Sequence, residues 1–179
     1  PAGKVSGMDI RLATHDDAAA IADIFNWATA QPDFNLVTWE EDADSRRAWM
    51  DEIFDSGFPV FVADEDGEVL GFAAYMQFVT PGLYYGTAED TIYISPDARG
   101  KGVGSALLKA VVDHAAGNDY VETIISYIVD TNAASLALHK KFGFKETGRM
   151  PNIHTKQGRR LGLVHLQLDF DRGRNHRDR

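Results

Sequence analysis

The chain of 179 residues contains no cysteine. This absence excludes disulfides, a thiolate nucleophile and Cys-ligated metal sites, and it is typical of reducing compartments, so we expect a cytoplasmic protein. Positive charge is also scarce, with 18 Lys and Arg against 27 Asp and Glu. Because nucleic acids are bound through clustered Lys and Arg, the net charge of -9 argues against a nucleic-acid partner.

Long apolar runs are missing as well. No stretch approaches the ~20 apolar residues that a membrane span requires, so we expect neither a membrane nor a targeting segment. The length predicts one domain, which we place at residues 8–170 because patterned sequence begins at Met8. Residues 1–7 are expected to be a disordered arm or an artificial addition, and residues 171–179 a flexible tail.

Hydrophobic spacing predicts both helices and strands along this domain. Apolar residues recur at helical spacing, and alternating or β-branched runs separate them. The predicted helices cover about residues 16–30, 43–55, 102–116 and 132–142. The predicted strands cover about residues 8–14, 60–63, 69–79, 90–95, 121–129 and 161–170, with another that starts at 144. This order indicates a single α/β domain with a mixed sheet.

A glycine-rich elbow lies at the centre of the chain. Residues 92–108 read IYISPDARGKGVGSALL: a β-branched run, a turn, three alternating glycines and the start of a helical pattern. Glycine allows a tight turn and a close backbone approach, and a helix N-terminus directs N–H groups at an anion. The elbow therefore predicts a phosphate-binding site.

Two familiar nucleotide loops do not fit this elbow. A Walker P-loop places Ser or Thr directly after its Lys, but Gly102 follows Lys101. A dinucleotide fingerprint has the spacing Gly-x-Gly-x-x-Gly soon after a first strand, and the elbow has neither that spacing nor that position. A nucleotide triphosphatase and a nucleotide-dependent oxidoreductase are both disfavoured.

A third pattern does fit. Residues 99–104, RGKGVG, resemble the pyrophosphate loop of the GNAT acyltransferase superfamily, in which Gln or Arg precedes alternating glycines. Residues 132–136, NAASL, and 139–144, HKKFGF, resemble the family's downstream helix and its Gly-Phe exit. Four further stretches, 10–39, 87–94, 150–159 and 165–170, are similar to the phosphinothricin and methionine-sulfoximine acetyltransferase branch. The resemblance covers nearly the whole chain from Met8.

The resemblance implies a fold and a reaction. The fold is the GNAT fold, a mixed and mostly antiparallel sheet with splayed strands, flanked by about four helices. The reaction is transfer of acetyl from acetyl-CoA to the amine of a small molecule, with no metal and a possible homodimer. The absence of cysteine fits direct attack by the amine, because no acyl-cysteine can form.

The resemblance also assigns residues. Glu89, in the family's Thr-x-Glu position, is implied as the general base, and His139 stands where many relatives carry a Tyr that protonates the leaving thiolate. The implied acceptor site contains Phe34, Tyr85, Thr87 and Glu89. The implied acetyl-CoA site contains Ile92, Tyr93, Ile94, Arg99, Gly100, Lys101, Gly102, Val103, Gly104, Ser105, Asn132 and Ser135.

Each assignment has a structural alternative. The glycines can simply make a tight turn, and Asn132 can be a helix cap, a role compatible with ligand contact. Glu89 can be a solvated strand end, and His139 a hydrogen-bonded core histidine. Asp90 is the weaker candidate for the base, because alternation along a strand places it on the face opposite Glu89.

The chain departs from the branch in one loop. The branch carries an Arg before Thr-x-Glu that can pair with a substrate carboxylate, whereas no Lys or Arg occurs between Met76 and Asp90. Lys156, Arg159 or Arg160 could replace it, or the acceptor could be an amine with an apolar body. A GNAT-fold module that senses acyl-CoA without turnover is the alternative function.

Overall fold

The computed structural model describes residues 7–79 and 83–171 as a layered α/β domain. The expected arm at residues 1–7 and tail at 171–179 lie almost entirely outside the described residues. Four helices are present in the described ranges: α1 (Ala18–Ala30), α2 (Ala43–Asp55), α3 (Val103–Ala116) and α4 (Ala133–Lys141). The seven strands are β1 (Met8–Leu12), β2 (Val60–Glu65), β3 (Glu68–Gln77), β4 (Thr87–Ile94), β5 (Thr123–Val129), β6 (Lys145–Lys156) and β7 (Arg159–Asp169).

Local sequence explains where these elements begin and turn. Asp42 caps α2 by accepting a hydrogen bond from the Ser45 N–H at 2.8 Å. Asp66 and Gly67 both have positive φ, 53° and 87°, as the two-residue turn between β2 and β3 requires. The predicted hairpin turn is therefore confirmed, although the strands extend into its first two residues, Asp64 and Glu65.

One predicted boundary was wrong, and one strand had no predicted end. Helix one does not begin near Asp16, because His15–Asp17 form a short 3-10 turn and the α-helix begins at Ala18. The strand that starts near residue 144 continues as β6 to Lys156 and pairs with β7 as a long hairpin. Its irregular register between Met150 and His154 obscures the alternation that would have revealed it.

The sheet has the order β1-β2-β3-β4-β5-β7-β6, with β4 and β5 parallel and all other neighbours antiparallel. One face of the sheet packs on α1 and α2, where Phe25 of α1 meets Tyr93 of β4 edge to face. The other face packs on α3 and α4, where Tyr75 of β3 meets His114 of α3. The predicted mixed, mostly antiparallel fold with about four helices is confirmed.

Strands β4 and β5 separate after three residue pairs. Their backbone pairing ends at Glu89 and Ile125, yet β4 continues to Ile94 and β5 to Val129. The edge of β4 beyond Glu89 therefore faces an opening rather than a neighbouring strand. The splayed strands implied by the resemblance are present, and the opening between them positions the candidate site.

Candidate active site

A cavity of about 510 Å³ fills the opening between β4 and β5. This volume lies within the range of small-molecule sites. Its walls come from the diverging strands, the N-terminus of α3, α4 and the loop after α1. The lining includes ten of the twelve residues predicted for the acetyl-CoA site: Ile92, Tyr93, Ile94, Arg99, Gly100, Gly102, Gly104, Ser105, Asn132 and Ser135.

The three glycines of the elbow have two different roles. Gly100 and Gly102 have positive φ, 74° and 86°, which side-chain-bearing residues rarely adopt. Gly104 is instead the second residue of α3, where a Cβ would lie 3.2 Å from Leu138 of α4. Two glycines thus shape the turn, and the third allows α4 to pack closely against α3.

The N-terminus of α3 opens into the cavity at this elbow. The first intrahelical hydrogen bond runs from the Ala106 N–H to the Gly102 carbonyl, so the preceding N–H groups have no partner within the helix. Such groups, together with the positive end of the helix dipole, favour a phosphate. The elbow therefore has the geometry of an anion site.

The charged and apolar members of the elbow lie in different places. Lys101 is exposed, and Val103 is buried in the core. The Arg99 guanidinium lies 4.3 Å from the ring centroid of Phe34, in the loop after α1. Phe34, a predicted acceptor-site residue, lines the same cavity as Arg99.

Asn132 begins α4 at the far side of the cavity. Its Oδ1 accepts a hydrogen bond from the Ser135 N–H at 3.2 Å, so it is a helix cap. Both residues also line the cavity. The two roles considered for Asn132 are therefore compatible in this structure.

A buried polar cluster lies where β4 and β5 separate. His139 Nε2 is 3.0 Å from Asp90 Oδ2, and each of these side chains is 2% exposed. Ser126 of β5 donates a hydrogen bond to Asp90 Oδ1. His139 is thus enclosed and hydrogen-bonded, as in the structural alternative, but it also lines the cavity, as do Asp90 and Ser126.

Glu89 lies on the opposite face of β4 from Asp90, as strand alternation predicts. Its side chain is partly buried, and this burial, followed by the negative charge of Asp90, raises its pKa to about 7. A carboxyl group with this pKa exchanges protons near neutral pH, which suits a general base. The solvated strand end considered for Glu89 does not describe this environment.

Aromatic side chains surround the Glu89 face of the opening. Phe78 packs on Tyr84 at 5.0 Å between ring centroids and on Tyr127 of β5 at 6.0 Å. The charge of Glu89 is close enough to raise the pKa of Tyr127, after the larger effect of burial. The predicted acceptor-site residue Tyr85 is 72% exposed and packs on Tyr120. Tyr84 is therefore the loop tyrosine in the aromatic cluster beside Glu89.

The loop between α1 and α2 is fixed by a lysine from β6. Lys156 Nζ donates to the Asn35 carbonyl and to Asn35 Oδ1, both at 3.1 Å. Asn35 Nδ2 in turn lies 3.4 Å from the Tyr93 hydroxyl. Burial lowers the pKa of Lys156. Among the three cations considered for a substrate carboxylate, Lys156 already has these partners, and Arg159 lies 3.8 Å from Asp33.

Several residues of the site have no recognisable signal in the sequence. Ser126 and Tyr127 lie in an apolar run that indicates only a buried strand, and Phe78 lies at the end of another. Their roles depend on which strand neighbours β4 and where the pairing stops. The position of Asp90 beside Glu89 was visible, but its partner His139 is 49 residues away.

Two further findings concern the described part of the chain. Residues 7–79 and 83–171 contain no cluster of three His, Asp or Glu side chains that could hold a metal ion. No helix within these ranges is long and apolar enough to cross a bilayer.

Comparisons with known proteins agree with this geometry. Residues 21–144 match the model of the acetyltransferase (GNAT) family. The chain is 37% identical over 167 residues to the L-amino acid N-acyltransferase of Escherichia coli, covering 92% of this chain and 95% of that protein. It is 37% identical over 166 residues to the L-methionine sulfoximine/L-methionine sulfone acetyltransferase of Pseudomonas aeruginosa, covering 90% and 94%. The solved phosphinothricin acetyltransferase of Sinorhizobium meliloti in complex with acetyl-CoA superimposes with a TM-score of 0.87 at 30% identity, covering 92% of this chain and 89% of that one.

Proposed function

Because the chain belongs to the GNAT acetyltransferase family, we propose that it transfers acetyl from acetyl-CoA to the amine of a free amino acid or analogue, with Glu89 as the general base. The proposed acceptors are methionine sulfone, methionine sulfoximine, phosphinothricin and ordinary L-amino acids, the substrates named for the relatives. The observation that carries the proposal is the half-buried Glu89, with a pKa of about 7, at the point where β4 and β5 separate.

Acyl transfer from a thioester requires four actions, and the site offers a group for each. The N–H groups at the start of α3 bind the pyrophosphate. The unpaired edge of β4 supplies N–H groups that can polarise the thioester carbonyl. Glu89 accepts the proton of the attacking amine, and His139 protonates the leaving thiolate as the C–S bond breaks. The absence of cysteine is consistent with attack by the amine itself.

A thiol-release assay with a panel of amines tests the proposal. We expect acetyl-CoA to be consumed with methionine sulfone, methionine sulfoximine, phosphinothricin or an L-amino acid, and more slowly with polyamines. Binding of acetyl-CoA without release for any amine would contradict catalysis and favour the acyl-CoA sensor.

The Glu89→Gln variant tests the base. We expect kcat/KM to fall by about 10²- to 10⁴-fold, the usual contribution of a general base, with acetyl-CoA affinity unchanged. In the wild type, kcat/KM should rise with pH through about 7, because Glu89 must lose its proton to act. The matched control is Glu68→Gln, at an exposed position at the start of β3. An unchanged rate at all pH values would remove Glu89 from this role.

Location and assembly stay predictions. The absence of cysteine predicts a reducing compartment such as the cytoplasm. A homodimer is predicted from the family resemblance alone. Sedimentation of the purified protein tests the second prediction.

A further inference from the structure

The Asp90 cluster has a hydrogen-bond pattern that limits where its protons can lie. His139 Nδ1 is 2.8 Å from the Ser135 carbonyl oxygen, which can only accept, so Nδ1 carries a hydrogen. His139 Nε2 is 3.0 Å from Asp90 Oδ2. Asp90 Oδ1 already accepts from the Ser126 hydroxyl. Both ring nitrogens of His139 thus face oxygen atoms, an arrangement that accommodates an imidazolium paired with a carboxylate.

The cluster lies at the inner end of the opening between the strands. Backbone pairing ends at Glu89 and Ile125, and Asp90 and Ser126 are the next residue on each strand. A side-chain hydrogen bond therefore replaces the ladder at the first position where the strands diverge. Since Asp90, Ser126 and His139 all line the cavity, the proton held between Asp90 and His139 lies at the cavity wall.

The groups around His139 support a protonated ring. Burial opposes its charge, but the hydrogen bond and charge of Asp90, with the Ser135 carbonyl, outweigh burial and raise the pKa of His139. From the residue just before β6, the neighbour is the uncharged ring of Phe144, at 5.1 Å. On α4 itself, Lys140 and Lys141 are exposed. Glu89 lies on the other face of β4.

We propose that Asp90 is a positioning residue for acetyl transfer, which acts through His139 by keeping the imidazole protonated, with the shared proton at the cavity wall. The inference rests on the proposed function. When the C–S bond breaks, its electron pair goes to sulfur. The thiolate in the cavity then takes the Nε2 proton that His139 shares with Asp90, and the hydrogen bond from Nε2 to Asp90 is lost. The neutral ring then has a lone pair facing the Asp90 carboxylate, an unfavourable contact that drives reprotonation from solvent before the next turnover.

The variant Asp90→Asn separates this role from a structural one. An Asn side chain can accept from Ser126 through Oδ1 and donate from Nδ2 to Nε2 of a neutral His139, so every hydrogen bond is kept. Only the charge and the shared proton are removed. We expect kcat to fall by about 10²-fold, the lower end of what a positioned proton donor contributes. The affinity for acetyl-CoA and the melting temperature should change little.

The pH dependence of kcat distinguishes the two roles, because a purely structural role of Asp90 would leave it unchanged. In the wild type, His139 keeps its proton above its ordinary range, so activity persists to higher pH. Without the carboxylate, the proton is lost at lower pH, and the basic limb of the kcat profile shifts downward. Ser126→Ala is the control, since it removes a hydrogen bond from the same carboxylate but keeps the Asp90–His139 pair. It should lower stability and leave the position of the basic limb in place.

A measurement without substrate tests the pair directly. Nitrogen NMR of histidine-labelled protein, assigned with His139→Asn, should show both ring nitrogens of His139 protonated at pH 7 in the wild type and one in Asp90→Asn. In the His139→Asn background, Asp90→Asn should cause little further loss of kcat.

Three results would overturn the inference. They are a neutral His139 in the wild type, an unchanged pH profile in Asp90→Asn, and additive losses in the double variant. Each of these results would leave the proposed acetyltransferase activity unaffected. A wild-type protein that acetylates no amine overturns the proposed function and this inference together, and the amine panel identifies that case.

Discussion

The two faces of β4 build the two halves of the site in different ways. On the α3–α4 face, the donor half, where acetyl-CoA binds, comes from one stretch of chain, residues 92–139. It uses backbone N–H groups and helix ends. On the other face, the acceptor half, where the amine binds, combines Glu89 with side chains from the α1–α2 loop, β5, β6 and the residue that follows β3. The donor half depends on backbone conformation, whereas the acceptor half depends on which side chains meet.

The largest effect on acetyl-CoA binding is expected from a change in the backbone of the donor half. In Gly102→Val, a β-branched residue replaces a glycine with φ of 86°. The elbow must then change conformation, and its N–H groups no longer point at the phosphate. We expect the Kd for acetyl-CoA, measured by calorimetry, to rise by about 10- to 100-fold, which corresponds to the 1–3 kcal/mol cost of such strain.

A matched glycine distinguishes lost binding from general strain. Gly67 in the β2–β3 turn has φ of 87°, and like Gly102 it has open space where a Cβ would lie. Gly67→Val should lower the melting temperature and leave acetyl-CoA affinity intact. Equal loss of affinity in both variants would mean that the elbow is only a turn.

A smaller effect is expected from the acceptor half. Lys156→Met removes the donor that holds the Asn35 carbonyl and side-chain oxygen, and it leaves these buried acceptors without that partner. The loop that carries Phe34 should then loosen. We expect the KM for the amine to rise by about 5- to 10-fold, since an unmet buried hydrogen bond costs about 1–3 kcal/mol.

The affinity for acetyl-CoA tells whether the two halves are independent. It should change much less than the KM in Lys156→Met, because Arg99, through Phe34, is the elbow's contact with this loop, whereas the N–H groups of α3 and the cap at Asn132 do not involve Asn35. Lys145→Met, at an exposed position at the other end of β6, is the control for loss of a charge. A rise in the acetyl-CoA Kd that matches the rise in KM would refute the division between the halves.

The contrast explains how much the sequence could predict. The elbow, the cap at Asn132 and the place of Glu89 before the elbow are local patterns, and each lies where the pattern indicated. The aromatic partners Phe78 and Tyr127 are 49 residues apart, and their contact depends on the order β3-β4-β5. The same limit applies to the bonds of Lys156 to Asn35, across 121 residues. Spacing along a chain carries no information about such contacts.

The smallest expected effect is the loss of folding stability caused by burying Glu89 in the acceptor half. Burial raises the pKa of Glu89 from 4.5 to about 7, so between these values the folded protein holds a proton that the unfolded chain has lost. Stability therefore falls as pH rises through this window. Gln cannot ionise, so Glu89→Gln should escape this loss. Thermal unfolding should show the variant more stable than the wild type by a few degrees at about pH 8, with the difference shrinking towards about pH 5.

Glu68→Gln, at an exposed site, should show no such pH-dependent difference. A constant offset for Glu89→Gln at every pH would mean that Glu89 is solvated, and the base would then lack the environment that tunes it for the reaction.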